Sequence, residues 1–193
     1  MNECFFTTYS GEKVNIMHPS PDQINIEDIA HSLSLICRYN GHCNKFYSVA
    51  EHSVHVSCLA KSSLWGLLHD APEAYFSDIP RPIKAQFPQI DKYEQRILDA
   101  VKKKFHIWGD LPKNVKEVDD RILVNEIEVL MPNQDASELK WSRYKNLDLS
   151  GQRWTPKQAE EKFLKRYYEV TGEKNEIRGE NRELVRAKLE KNI

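Results

Sequence analysis

Four side chains able to hold a metal ion stand where the sequence otherwise calls for apolar residues. His52 lies between Val49 and Val56 on the inward stripe of a helical segment, and His69 and Asp70 close the apolar run LWGLLHD. Asp119 shares a helical face with Val115, Ile122 and Glu126, whereas the 3.6-residue period turns Asp120 about 100° away. A bare carboxylate on an inward face is costly unless it is paired or bound to a cation. Two imidazoles and two carboxylates converging in a helical core suit one first-row divalent ion, with zinc, cobalt and manganese the best matches. Taken singly, each residue has an ordinary alternative: His52 as a satisfied core histidine, Asp70 as the cap of the next helix, Asp119 as a partner for Lys116 or Arg121. His55 stands at i+3 from His52 but toward the helix flank, and the segment lacks the His-Glu-x-x-His spacing of a zinc protease.

Around these residues lie groups suited to acid–base work and anion binding. Glu73, three residues beyond Asp70 with Pro72 between, is close enough to orient or deprotonate a water. Its alternative is a helix-N-terminal carboxylate favoured by the dipole. Arg38 offers a bidentate fork to a phosphate, and Lys84 and Lys116 offer point charges, although surface lysines are ordinarily just solvated. Tyr39 either stacks on a base or packs as an aromatic at the end of a bundle. Asp78, before Ile79-Pro80, reads as a turn carboxylate.

The elements that must position these residues are helical. Ile26, Ile29, Ala30, Leu33, Ile36 and Cys37 recur at spacings of three and four, predicting a helix that ends near Gly41. Ser48 and Glu51 form a capping-box signal for a helix with Val49, His52, Val56 and Leu59 on one face. Pro72 fits the first turn of a short helix. The two prolines of SDIPRP, Ser77 to Pro82, predict a loop. Further helices are expected from about Gln89 to Phe105 and from Lys113 to Met131, with residues 132–153 irregular. A last helix runs from Thr155-Pro156 through Val170 to a stop at Gly172. Residues 4–17, two β-prone runs around Ser-Gly-Glu-Lys, predict a small hairpin. The fold class expected is all-α: an N-terminal hairpin and extension (1–20), a single helical bundle (21–172) and a charged C-terminal tail (173–193).

Composition narrows the partners. In 193 residues, 28 basic and 29 acidic side chains are mixed along the chain for a net charge of −1. That balance argues against a nucleic-acid polymer or an anionic membrane surface as partner. It leaves room for a small anionic ligand met by a few well-placed cations. No apolar run approaches the roughly 20 residues of a membrane span, and no signal-peptide pattern opens the chain, so a cytoplasmic location is expected. Cys4, Cys37, Cys43 and Cys58 form no Cys-x-x-Cys pair and read as reduced thiols, not as a zinc site.

The segments YSVAEHS, LLHDAPEAYFSDIPRPIK and VKEVDDRILVNE resemble the HD-domain phosphohydrolase superfamily, with its first His, its His-Asp doublet and its later helix-borne Asp. The resemblance runs from about Ile26 to Glu126. It is nearest to the small nucleotide branch, which includes 5′-deoxynucleotidases and phage-type deoxyadenosine triphosphate hydrolases. It implies an HD-domain helical bundle, metal ligation by His52, His69, Asp70 and Asp119, and a catalytic role for Glu73. It also implies phosphate binding by Arg38, Lys84 and Lys116, and sugar reading by Asp78. The extra Asp120 is a departure from the pattern. The expected activity is a metal-dependent deoxynucleotide phosphohydrolase, leaning toward a purine triphosphohydrolase releasing nucleoside and triphosphate, because three cations beside one metal suit a triphosphate tail. The alternatives are a 5′-deoxynucleotidase acting on monophosphates and a non-catalytic HD domain that senses a nucleotide. An additional magnesium ion and a homo-oligomer are further expectations from the resemblance.

Overall fold

The computed structural model describes residues 5–131, 133–134, 137, 139–145, 147–149, 151 and 153–173. A two-stranded antiparallel hairpin, β1 (Phe5–Thr7) and β2 (Lys13–Asn15), pairs Phe6 with Val14. Eight α-helices follow among the described residues: α1 (Ile26–Leu35), α2 (Val49–Leu59), α3 (Ser63–Leu68), α4 (Glu73–Phe76), α5 (Arg81–Lys84), α6 (Pro88–Lys104), α7 (Lys113–Leu130) and α8 (Pro156–Thr171). The protein is all-α with a small N-terminal hairpin, as its periodicities predict. No helix among the described residues is long and apolar enough to cross a membrane.

The bundle is built around α2, which packs against α1, α3, α7 and α8. Burial on α2 is wider than the one-sided stripe expected. Val49, Ala50, Glu51, His52, Ser53, Val54, Val56 and Ser57 are all buried, because small residues between the larger ones let helices approach from several sides. Gly66 of α3 shows how close that approach is. A Cβ there would meet Ser57 Cα at 3.0 Å and the carbonyl oxygen of Val56 at 3.1 Å.

The ends of the helices follow their local chemistry, with instructive exceptions. Thr155 and Gln158 complete a capping box for α8, Pro156 occupies its first turn, and Gly172 ends it in the left-handed region at φ 73°. At α2 the box is half made: Ser48 Oγ accepts from Glu51 N at 3.1 Å. The Glu51 carboxylate instead accepts from Trp154 N at 3.1 Å and pairs with Arg153 at 3.3 Å, so it ties down the chain entering α8. Helix α1 stops at Leu35, six residues before the expected Gly41. Ile36 and Cys37 extend to pair with the strand-like approach to α2, where Arg38 N donates to Tyr47 O at 2.9 Å and Val49 N to Ile36 O at 3.1 Å. Arg38 therefore opens a 3-10 turn (Arg38–Gly41), not the end of α1. The loop expected through Pro82 ends earlier, because Pro80 and Pro82 flank the start of α5, where missing N–H groups cost nothing. Asn125 of α7 holds Tyr144 and Leu147: its amide donates to the carbonyls of both and accepts from Tyr144 N at 2.7 Å. The expected C-terminal tail lies, beyond Glu173, outside the described residues.

Candidate metal centre

Three elements bring the ligands together. His52 sits mid-α2 with no exposed surface, His69 and Asp70 form the turn between α3 and α4, and Asp119 lies on α7. One ligand atom each from His52, His69 and Asp119 fall within 4.8 Å of one another. His52 Nε2 lies 3.3 Å from Asp119 Oδ1 and 3.6 Å from Asp70 Oδ2, and His69 Nε2 lies 3.1 Å from that same Asp70 oxygen. Yet both Nε2 atoms are buried without a hydrogen bond of acceptable geometry. A buried polar atom left unpaired costs free energy comparable to a lost hydrogen bond. Two such nitrogens facing shared carboxylate oxygens are the donor set a divalent cation satisfies.

The other ring nitrogens are fixed, which decides the tautomers. His69 Nδ1 lies 2.8 Å from the carbonyl of Gly66, which can only accept, so Nδ1 carries the proton and Nε2 presents its lone pair. His52 Nδ1 donates to Glu126 Oε1 at 2.6 Å. Gly66 thus serves twice, packing α3 on α2 through its missing side chain and orienting His69 through its carbonyl.

Charge in the centre is strongly shifted from ordinary values. Burial and Arg38 pull the His52 imidazole down, but Glu126 and Asp119 outweigh them and carry it up to about 9. Burial raises the Asp70 carboxyl, yet His69 and His52 bring it down to about 2. The same opposition, won by His52, holds Asp119 below the usual carboxylate range. In the ion-free protein the cluster balances itself as imidazolium against carboxylate, and a divalent ion bound there would take the place of that proton.

Glu73 opens α4, only 8% exposed, with Oε2 buried and unpartnered. Burial, with Asp70 and Asp78 beside it, pushes its carboxyl well above the ordinary range, while Arg38 and Lys84 oppose. The charges of Arg38, Asp78 and Lys84 thus all act on Glu73. Arg38 reaches Asp70 Oδ2 at 3.8 Å through Nη1 and Glu126 Oε2 at 3.0 Å through Nη2. Tyr39 holds the left-handed backbone region at φ 57° and donates its hydroxyl to the same Glu126 oxygen.

The expected lysines are already engaged. Lys84 Nζ pairs with Glu94 at 2.9 Å, and Lys116 pairs with Asp120 and lies 3.5 Å from Asp119. Asp120, expected to turn away from the inward face, is itself buried, held by Lys116 one turn back and by Arg81 at 3.7 Å. His55 stays outside the centre, 3.8 Å from Glu51. Glu126 is the residue whose role the sequence concealed. It lies on the Asp119 face seven residues on, and that period was the available signal; its partners come from distant segments.

No protein-family model matches the chain. YfdR of Escherichia coli K12 is 39% identical over 124 residues, which span 63% of this chain and 70% of that protein. A protein of Rhodobacter capsulatus is 37% identical over 119 residues, 55% of this chain and 61% of the relative. Both relatives are described as uncharacterised proteins. With more than two thirds of YfdR covered at that identity, the chain belongs to the YfdR family.

Proposed function

We propose that the chain is a metal-dependent phosphohydrolase of the HD-domain type acting on deoxynucleotides, with His52, His69, Asp70 and Asp119 holding one divalent ion. The observation that carries this reading is the pair of buried, unpartnered Nε2 atoms of His52 and His69 facing the carboxylates of Asp70 and Asp119. An ion bound there supplies Lewis acidity to a phosphate ester and makes water a usable nucleophile near neutral pH. The residues do the rest. Glu73 Oε2, buried and with raised proton affinity, takes up and returns a proton beside the reacting phosphate. Arg38 Nη1, now 3.8 Å from Asp70, turns to a phosphoryl oxygen. Asp78 faces the sugar and Tyr39 the base. A nucleotide sensor would have no use for an unpartnered acid–base group at the centre, so Glu73 favours catalysis over sensing.

Two substrates compete. A triphosphate calls on Lys84 and Lys116 as well as Arg38, and both lysines would have to leave Glu94 and Asp120. A 5′-monophosphate needs only Arg38 and the ion. The engagement of both lysines favours this second reading. The test is to incubate the protein, loaded with manganese, cobalt or zinc, with deoxynucleoside mono- and triphosphates and to identify the products. Nucleoside plus intact triphosphate marks the triphosphohydrolase, and nucleoside plus orthophosphate from monophosphates alone marks the deoxynucleotidase. No hydrolysis of any nucleotide contradicts the proposal.

A further inference from the structure

Glu126 is a carboxylate with no exposed surface, 0% at the side chain, and both of its oxygens are committed. Oε1 accepts from His52 Nδ1 at 2.6 Å, and Oε2 accepts from Arg38 Nη2 at 3.0 Å and from the Tyr39 hydroxyl. The cost of burying a charge here is offset by a cation, an imidazole N–H and a phenol, all donors. We propose that Glu126 is a positioning residue that links the two halves of the site, fixing His52 with Nε2 toward the metal and Arg38 toward the phosphate. This rests on the metal-binding part of the proposed function.

The chemistry requires an acceptor at both ends. A histidine that ligates through Nε2 must keep its proton on Nδ1, and a neighbouring carboxylate enforces that and the ring orientation. Arg38 leads a 3-10 turn whose next two residues, Tyr39 and Asn40, hold left-handed backbone at φ 57° and 53°. Such a turn needs outside support, and the two bonds to Glu126 supply it. A glutamine is the same size but presents one acceptor and one donor, so it satisfies His52 or Arg38, not both. Glu51 provides the contrast. It is equally buried at 1%, but it serves Trp154 N and Arg153 at the entrance to α8, and it does not touch the four ligands.

The experiment compares Glu126→Gln with Glu51→Gln in the full chain. Zinc and manganese binding are measured by calorimetry, and inorganic phosphate binding is measured on the zinc-loaded protein. Glu126→Gln is expected to weaken metal binding by roughly 10- to 100-fold or phosphate binding by a similar factor, as loss of an outer-shell partner does. Glu51→Gln is expected to lower Tm and leave both affinities within about twofold. Should Glu126→Gln fail to fold, the imidazole nitrogen spectrum of zinc-loaded wild type decides, with a slowly exchanging proton on His52 Nδ1 expected. Unchanged affinities in folded Glu126→Gln, or a proton on His52 Nε2 in the zinc-loaded wild type, overturn the positioning role and leave the metal site standing. No metal binding by wild type overturns both.

Discussion

The site has an interior and a rim, and they are stabilised by different physics. In the interior, His52, Glu126 and Arg38 are almost wholly removed from water, and Glu126 is matched at both oxygens by His52 and Arg38. On the rim only the cations are exposed, Arg81 66% and Lys116 47%, whereas the Asp119 and Asp120 carboxylates they meet are 13% and 7% exposed. Solvent and salt reach such pairs from the cation's side and weaken them. Removing one partner from a buried pair leaves an uncompensated charge and typically costs about 3–5 kcal/mol. The interior is therefore fixed, whereas the rim cations Arg81 and Lys116 present part of their charge to solvent.

Substitutions that break the interior should have the largest effects. His69→Ala and Asp70→Ala are expected to abolish hydrolysis and metal content together, measured by turnover and elemental analysis on the same samples. An active, metal-replete Asp70→Ala would remove that residue from the ligand set. Next, Glu73→Gln should retain metal and nucleotide binding while turnover falls by roughly 10²-fold or more, as for a positioned acid–base group. Loss of metal in that variant would instead make Glu73 a ligand.

Rim substitutions should separate the substrates. If the triphosphate is hydrolysed, Lys84→Ala or Lys116→Ala should weaken its turnover by about 1–3 kcal/mol, the worth of a lost charge-assisted contact, with little change on a monophosphate. Equal kcat/KM for both variants and wild type on triphosphates would assign those lysines to their pairs with Glu94 and Asp120 alone.

A smaller effect follows from the interior charges in the metal-free protein. His52 is raised from its ordinary 6.5 to about 9, so its contribution to stability is fully present below pH 6.5 and is lost as pH climbs through 9. Asp119 and Glu126 are depressed, so theirs is present above the ordinary carboxylate range and is lost on acidification. Tm of the metal-free protein should fall between pH 6.5 and 9, and metal affinity should rise across that window as His52 gives up its proton. A Tm that rises toward pH 9 would contradict the imidazolium–carboxylate pairing.

Local signals carried most of the fold. Thr155, Gln158 and Gly172 bound α8 through contacts within one turn, and the apolar period of α7 set Asp119 toward His52. The departures arise where distant segments decide. The pairing of Cys37 with Ser48 cuts α1 short, Arg153 and Trp154 draw Glu51 out of its capping box, and α2 is buried on more than one side because four helices meet it. Glu126 belongs with these. A glutamate on an inward face signals an unmet need, but its partners Arg38, Tyr39 and His52 lie 74 to 88 residues away.

The adjacent aspartates of α7 offer the most direct test, because Asp119 lies 3.3 Å from His52 Nε2 whereas Asp120 is engaged by Lys116 and Arg81. Calorimetric titration of wild type, Asp119→Ala and Asp120→Ala with zinc or manganese reads the centre without any substrate. One ion per chain should bind to wild type and to Asp120→Ala with similar affinity, and Asp119→Ala should bind it at least about 100-fold more weakly, as a ligand is lost. Wild type that binds no ion, or strong binding by Asp119→Ala with loss in Asp120→Ala, would contradict the metal centre described for this fold.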